Sequence, residues 1–169
     1  MCAKATATDL YMNWFPLSFD MDSADATTVH ETVIPTGLSI RGNMAFLFHK
    51  LELAWPSIGG IFDADQSLAI AISSRAGLSV CPGLNDGGVL ARCELESELA
   101  AAGMLTIDLL REVSWLPPQV YAKPQLSVYA VARVDDAVMH GAKIEGRLGY
   151  TTIPLTPQVY VELAETWPD

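Results

Sequence analysis

Basic residues are scarce in this 169-residue chain: 10 Lys and Arg stand against 20 Asp and Glu, a net charge of −10 with an isoelectric point near 4.6. A protein that neutralises phosphates, or docks on anionic lipid through a polybasic patch, needs the opposite sign. Cysteine is nearly absent too. Cys2, Cys81 and Cys93 are an odd number with no CxxC spacing, which fits a reducing compartment, or an assembly built inside one, better than a disulfide-stapled secreted framework. Cys81 and Cys93 can pair only if their strands are neighbours, which spacing leaves open. Long apolar runs are missing: stretches such as 44–48 and 68–72 stop at five residues, where a membrane-spanning helix needs about 20. Residues 1–9 carry Lys4 but no apolar core, so no signal peptide is read there. Any membrane contact is expected to be peripheral. No repeat and no low-complexity linker divides the chain.

What is present is enough for one core. Half of the residues are hydrophobic, and a chain of 18.2 kDa buries roughly 69% of its unfolded surface by size scaling alone. Turn signals recur every 8–20 residues, among them Pro35-Thr36-Gly37, Arg41-Gly42-Asn43, Pro56-Ser57-Ile58-Gly59-Gly60, the run from Cys81 to Gly88, Pro117-Pro118 and Asp135-Asp136. Between them lie short β-branched or aromatic segments, the rhythm of an antiparallel β-sandwich or barrel. Residues 46–53 alternate, with Leu47, His49, Leu51 and Leu53 on one face and Phe46, Phe48, Lys50 and Glu52 on the other. Residues 68–73, 125–134 and 143–153 also read with period two. Weaker strand patterns cover 10–19, 29–34 and 88–95. Thr156-Pro157 is an N-cap and first-turn pair for a short helix with Val159, Tyr160, Leu163 and Ala164 on one stripe. Residues 94–102 have helix propensity, yet a strand can claim their first half. The expectation is a mainly β, antiparallel sandwich of about eight strands with one or two short helices.

Recognisable catalytic patterns are lacking. The carboxylates Asp20, Asp22 and Asp25, and the pair Asp63 and Asp65, have oxygens enough for Ca²⁺ but neither the Gly at position six nor the Glu at twelve of a calcium loop. Solvated turns, with Asp bonding its own backbone, are the simpler reading. His30, His49 and His140 show no HxH or HExxH spacing, and His49 between Leu47 and Leu51 reads as a hydrogen-bonded interior histidine. The segment from Gly37 to Gly42 is one residue too long for a nucleophile elbow, and no phosphate-binding loop occurs. No catalytic residue, metal or cofactor is expected. Pro154-Leu155-Thr156-Pro157 satisfies PxxP, but Pro154 can end a strand and Pro157 start a helix. Ser114-Trp115-Leu116-Pro117-Pro118-Gln119-Val120-Tyr121 is apolar for a loop. It reads either as a loop folded over the core or as an interface, and the interface candidates are Trp115, Leu116, Pro117, Pro118, Val120 and Tyr121.

The last third is the most distinctive part. A strand through Pro124-Gln125-Leu126-Ser127-Val128-Tyr129-Ala130-Val131 is followed by the turn Asp135-Asp136 and a strand over 142–150 with Arg147 and Tyr150. Thr151-Thr152-Ile153-Pro154-Leu155-Thr156 leads into a short helix around Tyr160, Glu162 and Leu163. This ending, together with residues 46–56 closing on Ala54-Trp55-Pro56, resembles the small single jelly-roll capsid proteins of icosahedral viruses of bacteria and archaea. The resemblance covers about 60 residues and rests on strand order and aromatic placement.

It implies residues 1–169 as one jelly-roll domain, with 1–9 an extended N-terminal arm, serving as a structural, non-enzymatic subunit of a viral shell. The implied partners are copies of the chain or a second capsid protein. The arm lacks the Arg and Lys that would hold a genome, so no direct nucleic-acid contact is expected. A shell around an internal viral membrane, touched at most peripherally, suits that departure. The implied location is the virion, assembled in the host cytoplasm. Two other classes stay open on the residues: a β-sandwich binding module for carbohydrate or peptide, and a small cupin-like metal-dependent enzyme.

Overall fold

A computed structural model describes residues 12–21, 29–39, 41–57, 66–99, 105–107, 110–133 and 142–167. Among the described residues nine strands and one helix follow in order: β1 (Asn13–Met21), β2 (His30–Pro35), β3 (Met44–Ser57), β4 (Gln66–Ser73), β5 (Val89–Leu99), β6 (Leu105–Ile107), β7 (Leu110–Tyr121), β8 (Gln125–Arg133), β9 (Ala142–Pro154) and α1 (Pro157–Thr166).

The strands pair as a ribbon folded on itself. β1 pairs with β9, β2 with β8, β3 with β7 and β4 with β5, all antiparallel. Rolling that ribbon adds the pairs β3 with β9 and β4 with β8. The result is a four-stranded sheet in the order β1-β9-β3-β7 facing a second sheet in the order β2-β8-β4-β5-β6. This is the jelly-roll sandwich, with β6 a three-residue addition at one edge. Residues 94–99, ambiguous in sequence, are the second half of β5: pairing with β4 overrides their helix propensity. Asp22, Asp25, Asp63, Asp65, Asp135, Asp136, His140 and the arm 1–9 lie outside the described residues.

The core lies between the sheets. Phe48, Leu51, Leu53, Ile70, Ile72, Leu126, Val128 and Leu148 are each at most 1% exposed within one cluster. β3 shows how the sequence serves it. The expected single alternation is broken at His49: Phe48 pairs with Tyr150 and Lys50 with Gly149, which leaves His49 as an extra residue. A bulge of this kind shifts the phase of a strand by one. Phe46 and Phe48 therefore face inward before it and Leu51 and Leu53 after it, while Leu47, Lys50 and Glu52 are only half-buried. Gly146 of β9 lets β3 approach closely, since a Cβ there would stand 2.7 Å from the Glu52 carbonyl oxygen.

α1 closes one end of the sandwich. Thr156 accepts from Val159 N–H at 3.4 Å, as its N-cap position requires. Tyr160 is buried against Ala45 and Ala122. Trp167, just past the helix, donates its indole N–H to the Val120 carbonyl at 3.1 Å. Val159, expected on the buried stripe, is 39% exposed.

Candidate interaction surface

The segment read as an apolar loop is part of β7, the edge strand of the four-stranded sheet. Ser114 pairs with Lys50 and Gln119 with Phe48, so four residues, Trp115-Leu116-Pro117-Pro118, stand opposite the single His49. Proline has no N–H to give a ladder, and an edge bulge is where a strand tolerates it. The Leu116–Pro117 peptide is cis.

The six expected interface residues divide sharply. Leu116 is 96% exposed, and Pro117 is exposed beside it. Trp115 and Pro118 are half-buried footings. The Trp115 ring lies 6.4 Å from that of Phe48, and its Nε1 donates to the Leu90 carbonyl of the opposite sheet at 3.2 Å. Val120 packs against Ala45, Ala122 and Tyr160. Tyr121 is 0% exposed, with its ring 5.5 Å from Phe48 and 5.4 Å from Trp167 and its hydroxyl donating to the Gln125 carbonyl. Strand alternation turns Tyr121 into the core, so it has no surface to offer. The surface contracts to Leu116 and Pro117 on a rigid base.

The neighbouring edge is guarded differently. β6 covers β5 only at Ser97–Leu99. Ahead of that stretch, Arg111 Nε and Trp115 Nε1 of β7 donate to the Glu94 and Leu90 carbonyls at 3.1 and 3.2 Å. Side-chain donors thus occupy carbonyls that an open edge would present to another strand. With Pro16 in edge strand β1, Pro35 ending edge strand β2 and Pro117-Pro118 in β7, the edges are poor templates for strand addition.

Residues 74–88, between β4 and β5, fold back over the outer face of the second sheet. The Glu31 carboxylate accepts from Gly77 N–H at 2.9 Å. The Tyr129 hydroxyl donates toward Glu31 Oε1, 2.9 Å away, and the Arg75 carbonyl, 2.8 Å away, and its oxygen accepts from Leu78 N–H at 3.2 Å. Burial pushes the Tyr129 hydroxyl above its ordinary titration range. Further along, Arg92 donates to the Pro82 carbonyl at 2.9 Å, and Asp86 accepts from Gly83 N–H at 2.5 Å. The glycine-rich run is the turn its composition implies.

The outer face of the first sheet carries a charge ladder. Arg147 lies over the Trp14 ring at 4.0 Å and pairs with Glu52 at 2.5 Å. Lys50 reaches Glu52 at 2.9 Å and Glu112 at 3.1 Å. Burial raises the Glu52 carboxyl, but bonds from Arg147 and Lys50 outweigh it and hold the group below its ordinary value. The bond from Glu52 raises Lys50 above its ordinary range, over the opposing effect of burial. A shallow depression of about 220 Å³ between Glu52, Ala54, Glu145, Gly146 and Arg147 is smaller than ordinary ligand pockets. Its Glu52 is already bonded twice.

His49 is half-buried with Nε2 2.8 Å from Thr151 Oγ1, a hydrogen-bonded histidine at the bulge. Among the described residues no three His, Cys, Asp or Glu side chains gather as a metal would require, and no helix is long and apolar enough to cross a membrane. No disulfide joins Cys81 and Cys93. The chain matches no protein-family model and no curated protein.

Proposed function

We propose that this chain is a structural subunit of a viral capsid: a jelly-roll building block that assembles with copies of itself and a second capsid protein, with no catalysis. The observation that carries the reading is Leu116. A leucine held 96% exposed, on a base fixed by Trp115 and by two prolines, contributes nothing to the core of an isolated domain. Burial against a neighbour stabilises a side chain of this size by about 2 kcal/mol, a small contact that grows by repetition around a closed shell. The jelly-roll sandwich supports the same reading. The guarded edges favour contacts made by side chains over strand addition.

The acidic balance of the whole chain favours no direct contact with nucleic acid, and at most peripheral contact with a membrane inside the shell. The location that follows is the virion, after assembly in the host cytoplasm. Negative-stain microscopy of the purified chain with and without Leu116→Asp tests this. The expected result is ordered assemblies for the wild type and their loss in the variant, with the melting temperature unchanged. Isolated particles of one chain under every condition would contradict it.

A further inference from the structure

One row of residues crosses the outer face of the second sheet where the 74–88 connection lies. Glu31 of β2 pairs with Tyr129 of β8, Tyr129 with Ala71 of β4, and Ala71 with Arg92 of β5. The two ends of that row grip the connection. Glu31 and Tyr129 hold residues 75–78, and Arg92 holds the Pro82 carbonyl at 2.9 Å. Between them Ala71 is 0% exposed. The base of the connection is pinned separately, Ser74 N–H donating to the Gly88 carbonyl at 2.9 Å. Residues 74–88 thus form a strap clamped across the four strands β2-β8-β4-β5.

The clamp at Glu31 has more contacts than protons. Tyr129 Oη lies 2.9 Å from Glu31 Oε1 and 2.8 Å from the Arg75 carbonyl oxygen, each the length of an O–H···O bond. The phenol has one proton for these two contacts, and burial keeps that proton on it. Whichever contact the proton leaves, lone pairs meet at bonding distance. Leu78 N–H, at 3.2 Å, fills one lone pair of Oη and leaves the second open. A proton on Glu31 Oε1 completes the set: it is donated to that open lone pair, and the phenol proton turns wholly to the Arg75 carbonyl. Gly77 N–H, 2.9 Å from Oε2 and 3.1 Å from Oε1, keeps its acceptor in either state.

We infer that Glu31 and Tyr129 form a proton-operated clamp, which tightens the 74–88 strap on the second sheet when Glu31 takes up a proton. With that proton in place the closed strap makes one hydrogen bond more than with Glu31 ionised. Closing is therefore linked to proton uptake and is favoured as pH falls through the range where carboxyl groups titrate. Among the described residues, the charged and titratable groups around Glu31 are Tyr129, opposite it on β8, and Arg75 on the strap. His30, beside it on β2, falls on the other face by strand alternation. Arg92 and Glu94 stand on β5, 3.1 Å apart as an ion pair, and Asp86 of the strap accepts from Gly83 N–H at 2.5 Å. The clamp is independent of the capsid reading.

Amide exchange followed by NMR between about pH 7 and about pH 4.5 tests it, with the Glu31 carboxyl carbon followed in the same samples. Protection at Gly77 and Leu78 is read against that of the β9 amides, which report opening of the whole sandwich. In the wild type the expected result is Leu78 protection that rises by about threefold or more on acidification, with the midpoint of the Glu31 carboxyl shift. In Glu31→Gln the side-chain amide donates to Tyr129 where the acid would, so protection stays at the acid level of the wild type at every pH. Tyr129→Phe loses protection at these amides and its pH dependence together. Wild-type protection that is flat or falls on acidification overturns the inference. So does a pH dependence that survives in folded Glu31→Gln. The wild-type series decides alone if a variant does not fold, and no outcome of it bears on assembly.

Discussion

Trp115 reaches from the edge of one sheet to the Leu90 carbonyl of the other, 3.2 Å away, while the next residue, Leu116, stands 96% exposed. One side chain ties the sandwich together and its neighbour is displayed by that tie. The two have separable effects. Trp115→Phe keeps most of the ring but leaves a half-buried carbonyl without its donor, a loss of about 1 kcal/mol. Thermal denaturation should show a melting temperature lower by about 2–4 °C, whereas Leu116→Ser leaves it unchanged.

Glu52 gives a pH signature. Its carboxyl titrates below the ordinary value of 4.5 in the folded chain, so its contribution is complete above that value and is lost as pH falls through the lower folded one. The Arg147 side chain is 52% exposed, so screening limits the contribution to about 1 kcal/mol. Urea denaturation should find Glu52→Gln less stable than the wild type at pH 7, with the difference shrinking as the pH falls below 4.5.

Tyr129→Phe removes the hydroxyl that holds residues 75–78 to β8. Leu78 N–H and the Arg75 carbonyl lose a partner, a cost of about 1–2 kcal/mol. Hydrogen exchange should quicken at Gly77 and Leu78 while the amides of β3 and β9 stay protected.

Cys93 is pushed up to about 11, mainly by burial, so its thiol stays protonated well above neutrality. Iodoacetamide at pH 8 should leave Cys93 unmodified in the folded chain and label it in urea, read by peptide mass spectrometry. Its folded value lies above the ordinary 9.0. The stability it contributes is therefore full below pH 9 and declines as pH rises through 11.

Much of the fold was legible because strands announce themselves by period two. Residues 68–73, 125–133 and 143–153 fall on β4, β8 and β9, and Thr156-Pro157 starts α1. Two features were not. The bulge at His49 inverts the phase of β3, and nothing local in Phe48-His49-Lys50 marks an extra residue that only its pairing with β9 reveals. Pro117-Pro118 hid β7, although Arg111-Glu112-Val113-Ser114-Trp115 already alternates half-buried with exposed. The candidate surface was legible in part. An apolar Pro-Pro segment pointed to Leu116 and Pro117, while Tyr121, equally aromatic in sequence, is turned inward by strand geometry.

The proposed association of this chain with its own copies is tested most directly by sedimentation equilibrium at micromolar concentration. The expected result is a weight-average mass that rises with concentration above 18.2 kDa, and rises further when salt is increased from 0.01 to 0.15 M, since the Debye length falls from about 30 to about 8 Å and screens the repulsion between copies. A single 18.2 kDa species, indifferent to concentration and to salt, would contradict it.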